Sequence, residues 1–201
     1  MSKIGLFGGS FNPIHNGHIN LAESVKDALK LDKVIFIPSG TAPHKSSSEY
    51  AKGEDRLEMC RLATAYCPEF IVSDFEINRT GKSYSIYTVE HFRKLYPDDE
   101  LFLMVGSDML LSFDKWFKYK EILKCVTLAA VSRVGTDFEA LNKAAEKIGE
   151  YGKIIVVNNN AVIASSTNIR KLIKNNEDLS CYLNGKVVKY IILKKIYSEK
   201  E

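Results

Sequence analysis

Apolar positions along the chain fall into short continuous runs separated by longer stretches of mixed polarity. The runs at Lys3–Phe7, Val34–Ile37, Phe70–Ile77, Leu101–Val105, Val126–Val131 and Ile154–Val157 read as strands. Between them, spacing near 3.6 residues predicts helices. The first covers Gly17–Lys30, with Ile19, Ala22 and either Val25 or Ala28 near one face. Asp55–Tyr66 follows, with Leu57, Cys60 and Leu62 apolar, then Ile86–Tyr96, which stops at Pro97. Ala140–Ile148, a helix starting near Ser166, and a basic amphipathic one over Lys186–Lys195 complete the set. The segment Ser39–Tyr50, rich in serine and carrying Pro43, reads as a loop.

Continuous apolar strands alternating with helices indicate an α/β fold. The expectation is a Rossmann-like, doubly wound parallel sheet with helices on both faces. No repeat, low-complexity tract or linker interrupts the pattern, so residues 1–201 read as a single domain. In such sheets ligands bind beyond the carboxyl ends of the strands. The polar loops after the first, fourth and sixth strands are therefore the places to seek chemistry.

Composition narrows the class. The chain has 201 residues, 45% hydrophobic and 26% charged, with a formal net charge of +3. That charge is too small to imply a nucleic acid or membrane partner by itself. An RNA-binding domain would want a basic, aromatic-lined strip, and none is visible. Cys60, Cys67, Cys125 and Cys181 form no C-x-x-C pair or zinc-type spacing. They read as buried thiols of a reducing cytosol. No apolar run approaches the roughly 18 residues of a membrane span, and the N-terminus lacks a signal-peptide core. The expectation is a cytoplasmic protein; a homo-oligomer is compatible with the sequence.

The first loop reads G-G-S-F-N-P-I-H-N-G-H from Gly8 to His18. Paired glycines let backbone amides approach an anion, and a helix start adds free N–H groups and a positive dipole end. His15 and His18 lie three apart, so they share a face at the helix start and can donate to phosphate oxygens. Neither a G-x-G-x-x-G nor a P-loop pattern is present. The late loop, Ser165-Ser166-Thr167-Asn168-Ile169-Arg170, precedes a helix. Ser165 or Ser166 suits an N-cap, while the hydroxyls and helix amides equally suit a triphosphate, with Arg170 as a forked clamp. After the fourth strand come Gly106-Ser107-Asp108. Asp108 fits either a helix N-cap or an acceptor for ribose hydroxyls. Trp116, the sole tryptophan, fits core packing or a flat wall for an aromatic base.

Together these blocks resemble the nucleotidyltransferase superfamily, whose signatures H-x-G-H and I-S-S-T-x-I-R match His15–His18 and Ala164–Arg170, with Ala164 in the isoleucine position. Class I aminoacyl-tRNA synthetases use a related first motif, but their Lys-Met-Ser-Lys-type loop and tRNA-binding domain are not seen here. R-T-G-K-S-Y-S, V-G-S-D-M, D-K-W-F-K and Pro43-His44-Lys45 resemble, in order, the blocks of the bacterial nicotinate-nucleotide adenylyltransferases. Asn12 stands where many members have Asp, Lys82 for a common Pro, Ser85 for Thr and Phe117 for Tyr.

The resemblance implies transfer of the adenylyl group of ATP to nicotinate mononucleotide, giving deamido-NAD and pyrophosphate in NAD biosynthesis. It implies ATP contacts at Gly8, Gly9, Ser10, Phe11, His15, His18, Gly106, Asp108, Arg133, Ser166, Thr167 and Arg170. His15, His18, Lys45 and Arg170 would act on the reacting phosphates. His44, Lys45, Tyr84, Ser85, Trp116 and Phe117 would hold the acceptor, its carboxylate taken by backbone amides near Ser85, Trp116 and Phe117. Mg²⁺ would arrive on the ATP phosphates, with no dedicated metal site. Rival acceptors are nicotinamide mononucleotide and phosphopantetheine, the latter's enzyme being usually shorter and without the S-Y-S and W-F arrangement. A nucleotide sensor with dead chemistry is disfavoured because both histidines and Arg170 are retained.

Overall fold

The structure is a computed structural model describing residues 1–40, 50–133, 138–159 and 164–198. Its elements run β1 (Lys3–Gly9), α1 (Asn16–Leu29), β2 (Lys33–Pro38), α2 (Gly53–Thr64), β3 (Phe70–Val72) and α3 (Phe75–Asn78). They continue with α4 (Ser85–Leu95), β4 (Glu100–Gly106), α5 (Ser107–Leu110), α6 (Tyr119–Cys125), β5 (Thr127–Arg133) and α7 (Phe138–Ile148). The last are β6 (Ile154–Asn159), α8 (Ser166–Lys174) and α9 (Gly185–Leu193). Among the described residues, six strands form one sheet in the order β3-β2-β1-β4-β5-β6. β1 pairs parallel to β4, β4 to β5 and β5 to β6. The order reverses between β1 and β4, which is the switch point of a doubly wound fold. The strand order and parallel pairing agree with the doubly wound sheet that the hydrophobic pattern leads one to expect.

The chain divides into two compact units. The first comprises Met1–Gly8, Leu21–Ile35 and Tyr84–Ala161; the second comprises Gly9–Asn20, Phe36–Ser83 and Val162–Glu201. In the first unit Leu101–Val105 and Leu128–Val131 are almost wholly removed from water, which fits strands covered on both faces. α1 buries Ala22 and Val25, so Val25 and not Ala28 completes its inner face. Arg93, near the end of α4, donates to the carbonyls of Asp99 (2.8 Å) and Cys125 (2.8 Å), joining three chain turns at the rim of the sheet. The second unit packs α2 against β3 and α9, with Phe36 against Phe70 at 5.2 Å between ring centroids.

Three expectations are corrected. Phe70–Ile77 is not one strand: β3 ends at Val72 and α3 follows. Ser73 and Asp74 turn the chain, because Ser73 Oγ accepts from the Phe75 N–H (3.3 Å) and Asp74 accepts from Asn78 Nδ2 (2.8 Å). Such local side-chain bonds compete with a ladder. The short helix α6 lies where no helix was read, and α5 was foreshadowed only by the capping reading of Asp108, since a turn or two gives too little periodicity to detect. Of the four cysteines only Cys60 is buried, while Cys67 and Cys125 are partly exposed and Cys181 is exposed; all are free thiols.

Gly152 enters β6 where a Cβ would collide with the carbonyl of Leu123, backbone that cannot rotate away. Gly152→Ala should therefore lower the unfolding free energy by about 1–3 kcal/mol. Gly149→Ala, three residues earlier with open space around its Cβ position, should stay within about 0.5 kcal/mol. Urea titrations followed by circular dichroism compare the two.

Candidate active site

The residues singled out in the sequence fall into two groups, one in each unit. The group in the second unit is built around the loop that leaves β1. Gly9 is required there by packing, because a Cβ would lie 2.9 Å from the ring of Phe11, itself fully buried and left-handed at φ 44°. Five carbonyls of the loop are taken up by donors from other parts of the chain or from the helix start. The Gly9 carbonyl accepts from the Ser39 N–H (2.8 Å). That of Ser10 accepts from Arg56 Nη1 (2.8 Å), that of Asn12 from Arg170 Nη1 (3.0 Å) and that of Pro13 from Ser166 Oγ (3.0 Å). The His15 carbonyl accepts from the His18 and Ile19 amides (2.8 and 3.2 Å). In a trans peptide the N–H points opposite to the C=O. Anchoring the Ser10 carbonyl on Arg56 thus turns the Phe11 N–H away from that guanidinium.

The two histidines stack, with ring centroids 3.6 Å apart and planes at 22°. His18 Nδ1 accepts from the His15 backbone N–H (3.2 Å). A neutral His18 therefore carries its proton on Nε2. His15 is buried, and its Nδ1 has no hydrogen-bond partner among the described residues. Buried nitrogens are rarely left so, and those that are mark ligand or water positions. Burial pulls the His15 imidazole down to about 4, and burial together with the neighbouring His15 holds His18 well below its ordinary value. Both rings are neutral in the ligand-free protein at pH 7.

At α8 the capping expectation is corrected. Ser165 occupies the N-cap position but its side chain makes no capping bond. The Ser166 hydroxyl is engaged by the Pro13 carbonyl. The first-turn N–H groups of this nine-residue helix are thus not capped by a side chain, which is the condition for binding an anion there. Arg170 reaches Thr167 Oγ1 (3.5 Å) with one terminal nitrogen and the Asn12 carbonyl with the other.

In the first unit, Gly8 ends the first stretch of chain and Gly106 closes β4, with open space where a Cβ would stand in each. Asp108 is exposed on the second residue of α5, whose N-cap is Gly106; the N-cap reading of Asp108 does not hold. Trp116 leans on Phe113 (centroids 4.8 Å) and is half-buried, so it is not a core residue. Its backbone N–H is engaged by the Phe113 carbonyl (3.0 Å). Of the three amides expected near a carboxylate, those of Ser85, at the start of α4, and Phe117 are the two without a bond among the described residues. Tyr84 packs on Phe117 at 4.7 Å. His44 and Lys45 lie outside the described residues, as does the side chain of Arg133, whose backbone ends β5. Among the described residues no group of three or more His, Cys, Asp or Glu could hold a metal ion. None of their helices is long and apolar enough to cross a membrane.

Comparison with known proteins gives this geometry a family. The family described as cytidylyltransferase-like matches residues 6–172. The chain belongs to the cytidylyltransferase-like family. Curated relatives include a probable nicotinate-nucleotide adenylyltransferase of Clostridium tetani, 37% identical over 97% of this chain and 98% of its own length. One of Carboxydothermus hydrogenoformans, with the same name, is 40% identical over 98% of each. A third, from Geobacter metallireducens, is 49% identical over 66% of this chain, which spans 62% of that protein's length. The resemblance to the nicotinate-nucleotide adenylyltransferases read from the motifs is thereby borne out. Among solved structures, the Plasmodium falciparum nicotinic acid mononucleotide adenylyltransferase complexed with NaAD shares the fold. Its TM-score is 0.80 at 16% identity, over 98% of each chain. The cytidylyltransferase-like fold is the doubly wound sheet expected from the sequence.

Arg56 is the important residue the motif reading passed over. It is 2% exposed and donates to the carbonyls of Ala51 (3.1 Å), Ser10 (2.8 Å) and Ser39 (2.7 Å), with Gly40 at 3.4 Å. Its guanidinium lies 4.6 Å from the centre of the Tyr50 ring. A signal did exist: Arg56 sits at helical spacing with Met59, Cys60 and Ala63, a lone cation on the buried stripe of α2. Arg56→Met keeps the length and removes every donor. It should cost at least about 3 kcal/mol of stability, since buried carbonyls lose their partners; thermal and urea unfolding measure this.

The histidines give a pH dependence with a definite sign. Their folded values lie below the unfolded one near 6.5. The unfolded chain therefore binds more protons between about pH 6.5 and 4, and stability falls as pH drops through that window. Each histidine adds a slope of up to about 1.4 kcal/mol per pH unit. Imidazole NMR of the ligand-free protein should show His15 titrating near 4, with no midpoint for either ring between pH 6 and 8.

Proposed function

We propose that the chain transfers the adenylyl group of ATP to nicotinate mononucleotide, releasing pyrophosphate and forming deamido-NAD in NAD biosynthesis. We propose also that residues 1–201 act as a single nucleotidyltransferase domain. The observation that carries the reading is the stacked pair His15 and His18 on a loop whose Gly9, Ser10, Asn12, Pro13 and His15 carbonyls are held by other donors. That arrangement presents donors and withholds acceptors, as an anion site must. The names of the full-length relatives give the same reaction.

A 5′-phosphate oxygen of the mononucleotide attacks the α-phosphorus of ATP. The new P–O bond forms as the bond to the β-phosphate oxygen breaks, and pyrophosphate leaves with the electron pair. The attacking phosphate is already an anion near neutral pH, so no general base is needed. Catalysis is then positioning and charge stabilisation. His18, protonated on Nε2, donates to an α-phosphate oxygen as charge builds. His15 offers its buried Nδ1 side to the phosphates; a bound anion favours the charged ring and opposes the effect of burial.

Gly9, Ser10 and Phe11 line the phosphates with backbone. The amides at the start of α8, with Thr167 and Arg170, hold the leaving group, while the Ser166 hydroxyl holds the loop. Lys45 orients the reacting phosphates and Arg133 lies near the adenosine. Asp108, beside Gly106, accepts ribose hydroxyls. Tyr84, Ser85, Trp116 and Phe117, with His44, hold the acceptor, the carboxylate resting on the amides of Ser85 and Phe117. Mg²⁺ carried on the ATP phosphates would supply Lewis-acid charge; among the described residues no group of three or more His, Cys, Asp or Glu could hold it independently. The partners are ATP and the mononucleotide, in the cytoplasm.

Backbone amides only donate, so they accept both oxygens of nicotinate but meet the NH₂ of nicotinamide with like polarity. Leaving that group unpaired costs about 1–3 kcal/mol. kcat/KM at saturating ATP should favour nicotinate mononucleotide by at least about tenfold to a hundredfold. His18→Ala should lower kcat by at least about a hundredfold. Pyrophosphate release with each acceptor checks both. Equal use of the two mononucleotides would remove the nicotinate assignment, and a His18→Ala enzyme within a few-fold of wild type would remove the role of that ring.

A further inference from the structure

The segment after α9 reaches the loop after β1 through Tyr197. Lys195 and Tyr197 are left-handed, at φ 50° and 66°, a conformation that costs a non-glycine residue energy and persists where the surroundings fix it. This turn buries Tyr197 to 7% exposure and directs its hydroxyl to Asn12. The Tyr197 hydroxyl donates to Asn12 Oδ1 at 2.8 Å, and the Ala51 N–H donates to the same oxygen at 2.9 Å. Asn12 is 3% exposed, and its backbone carbonyl is the acceptor for Arg170 Nη1. One residue thus receives the C-terminal hydroxyl on its side chain and the phosphate-clamp arginine on its backbone. Burial raises the Tyr197 hydroxyl above its ordinary value, with Arg170 and Arg56 acting in the opposite sense, so it remains a protonated donor across the working pH range.

We propose that Tyr197 is a positioning residue for the phosphate site, fixing Asn12 so that its carbonyl orients the Arg170 guanidinium. The inference rests on Arg170 serving the triphosphate, as in the function proposed above. It gives the Asn at position 12 a definite part. A side-chain oxygen accepting two donors is what the junction needs, and the Asn12 amide oxygen supplies it.

Tyr197→Phe removes one hydroxyl and keeps the ring. With the full chain, the readouts are the Kd for inorganic tripolyphosphate by calorimetry, KM for ATP, KM for the acceptor, kcat, and the melting temperature. Tyr197→Phe is expected to raise the tripolyphosphate Kd and the ATP KM by about fivefold to tenfold and to leave the acceptor KM within about twofold. Asn12→Ala should do the same, and the double variant should be no worse than Asn12→Ala alone, since both break one chain of contacts. Asn12→Asp, which retains an acceptor oxygen, should keep the effect of Tyr197→Phe measurable on its own background.

A lowered melting temperature with tripolyphosphate and ATP constants within twofold of wild type would make Tyr197 merely structural and overturn the proposal. Additive losses in the double variant would overturn it as well. If the phenylalanine variant does not fold, Asn12→Ala carries the test by the same constants, with unchanged binding the overturning result. Tripolyphosphate binding does not depend on the acceptor. A wild-type protein that binds it yet makes no dinucleotide would fail the proposed function and leave this test standing.

Discussion

A backbone loop that binds phosphate must turn its N–H groups toward the anion and its carbonyls elsewhere, and every one of those carbonyls must find a donor. In this protein Arg56 meets the most demanding part of that constraint. It is a full positive charge inside the protein, and it remains charged because backbone carbonyls from three separate stretches, Ser10, Ser39–Gly40 and Ala51, converge on it. Burying an arginine without such partners would be prohibitive. Burying those carbonyls without the arginine would leave the loop free to rotate its peptides. The cation therefore stabilises the fold and sets the polarity of the loop at once.

The same logic extends outward from Arg56. Arg170 and Ser166 come from the opposite end of the chain, and both meet the loop on its carbonyls, at Asn12 and Pro13. The start of α8 and the loop after β1 are thereby one hydrogen-bonded assembly within the second unit. The histidines complete it. Burial keeps both rings neutral, and the His15 amide fixes the tautomer of His18. A neutral donor held in place costs less to bury than a cation and gains strength as negative charge develops beside it. Electrostatic preorganisation here is a property of backbone direction as much as of side-chain charge.

Much of this was legible in the chain. The strand and helix pattern determined the doubly wound class, because a residue's burial on both faces of a sheet leaves a continuous apolar run. The glycines, the H-x-G-H spacing of His15 and His18, and the S-S-T-x-I-R run marked the phosphate loops, because close backbone approach and helix starts have residue signatures. What the chain did not announce were partners distant in sequence. Ser166 looked like a helix cap and is bonded to Pro13; Asp108 looked like a cap and is not one; Asn12 looked like a lost carboxylate and is a junction for Ala51, Tyr197 and Arg170. Arg56 could have been suspected from its place on an apolar stripe, but its acceptors could not, since they are backbone atoms contributed by other segments. Sequence by itself determined which elements form and which residues can bind phosphate. Only the tertiary structure decided which way each peptide faces, because a carbonyl carries no side-chain label and its direction is set by the donor that folding brings to it.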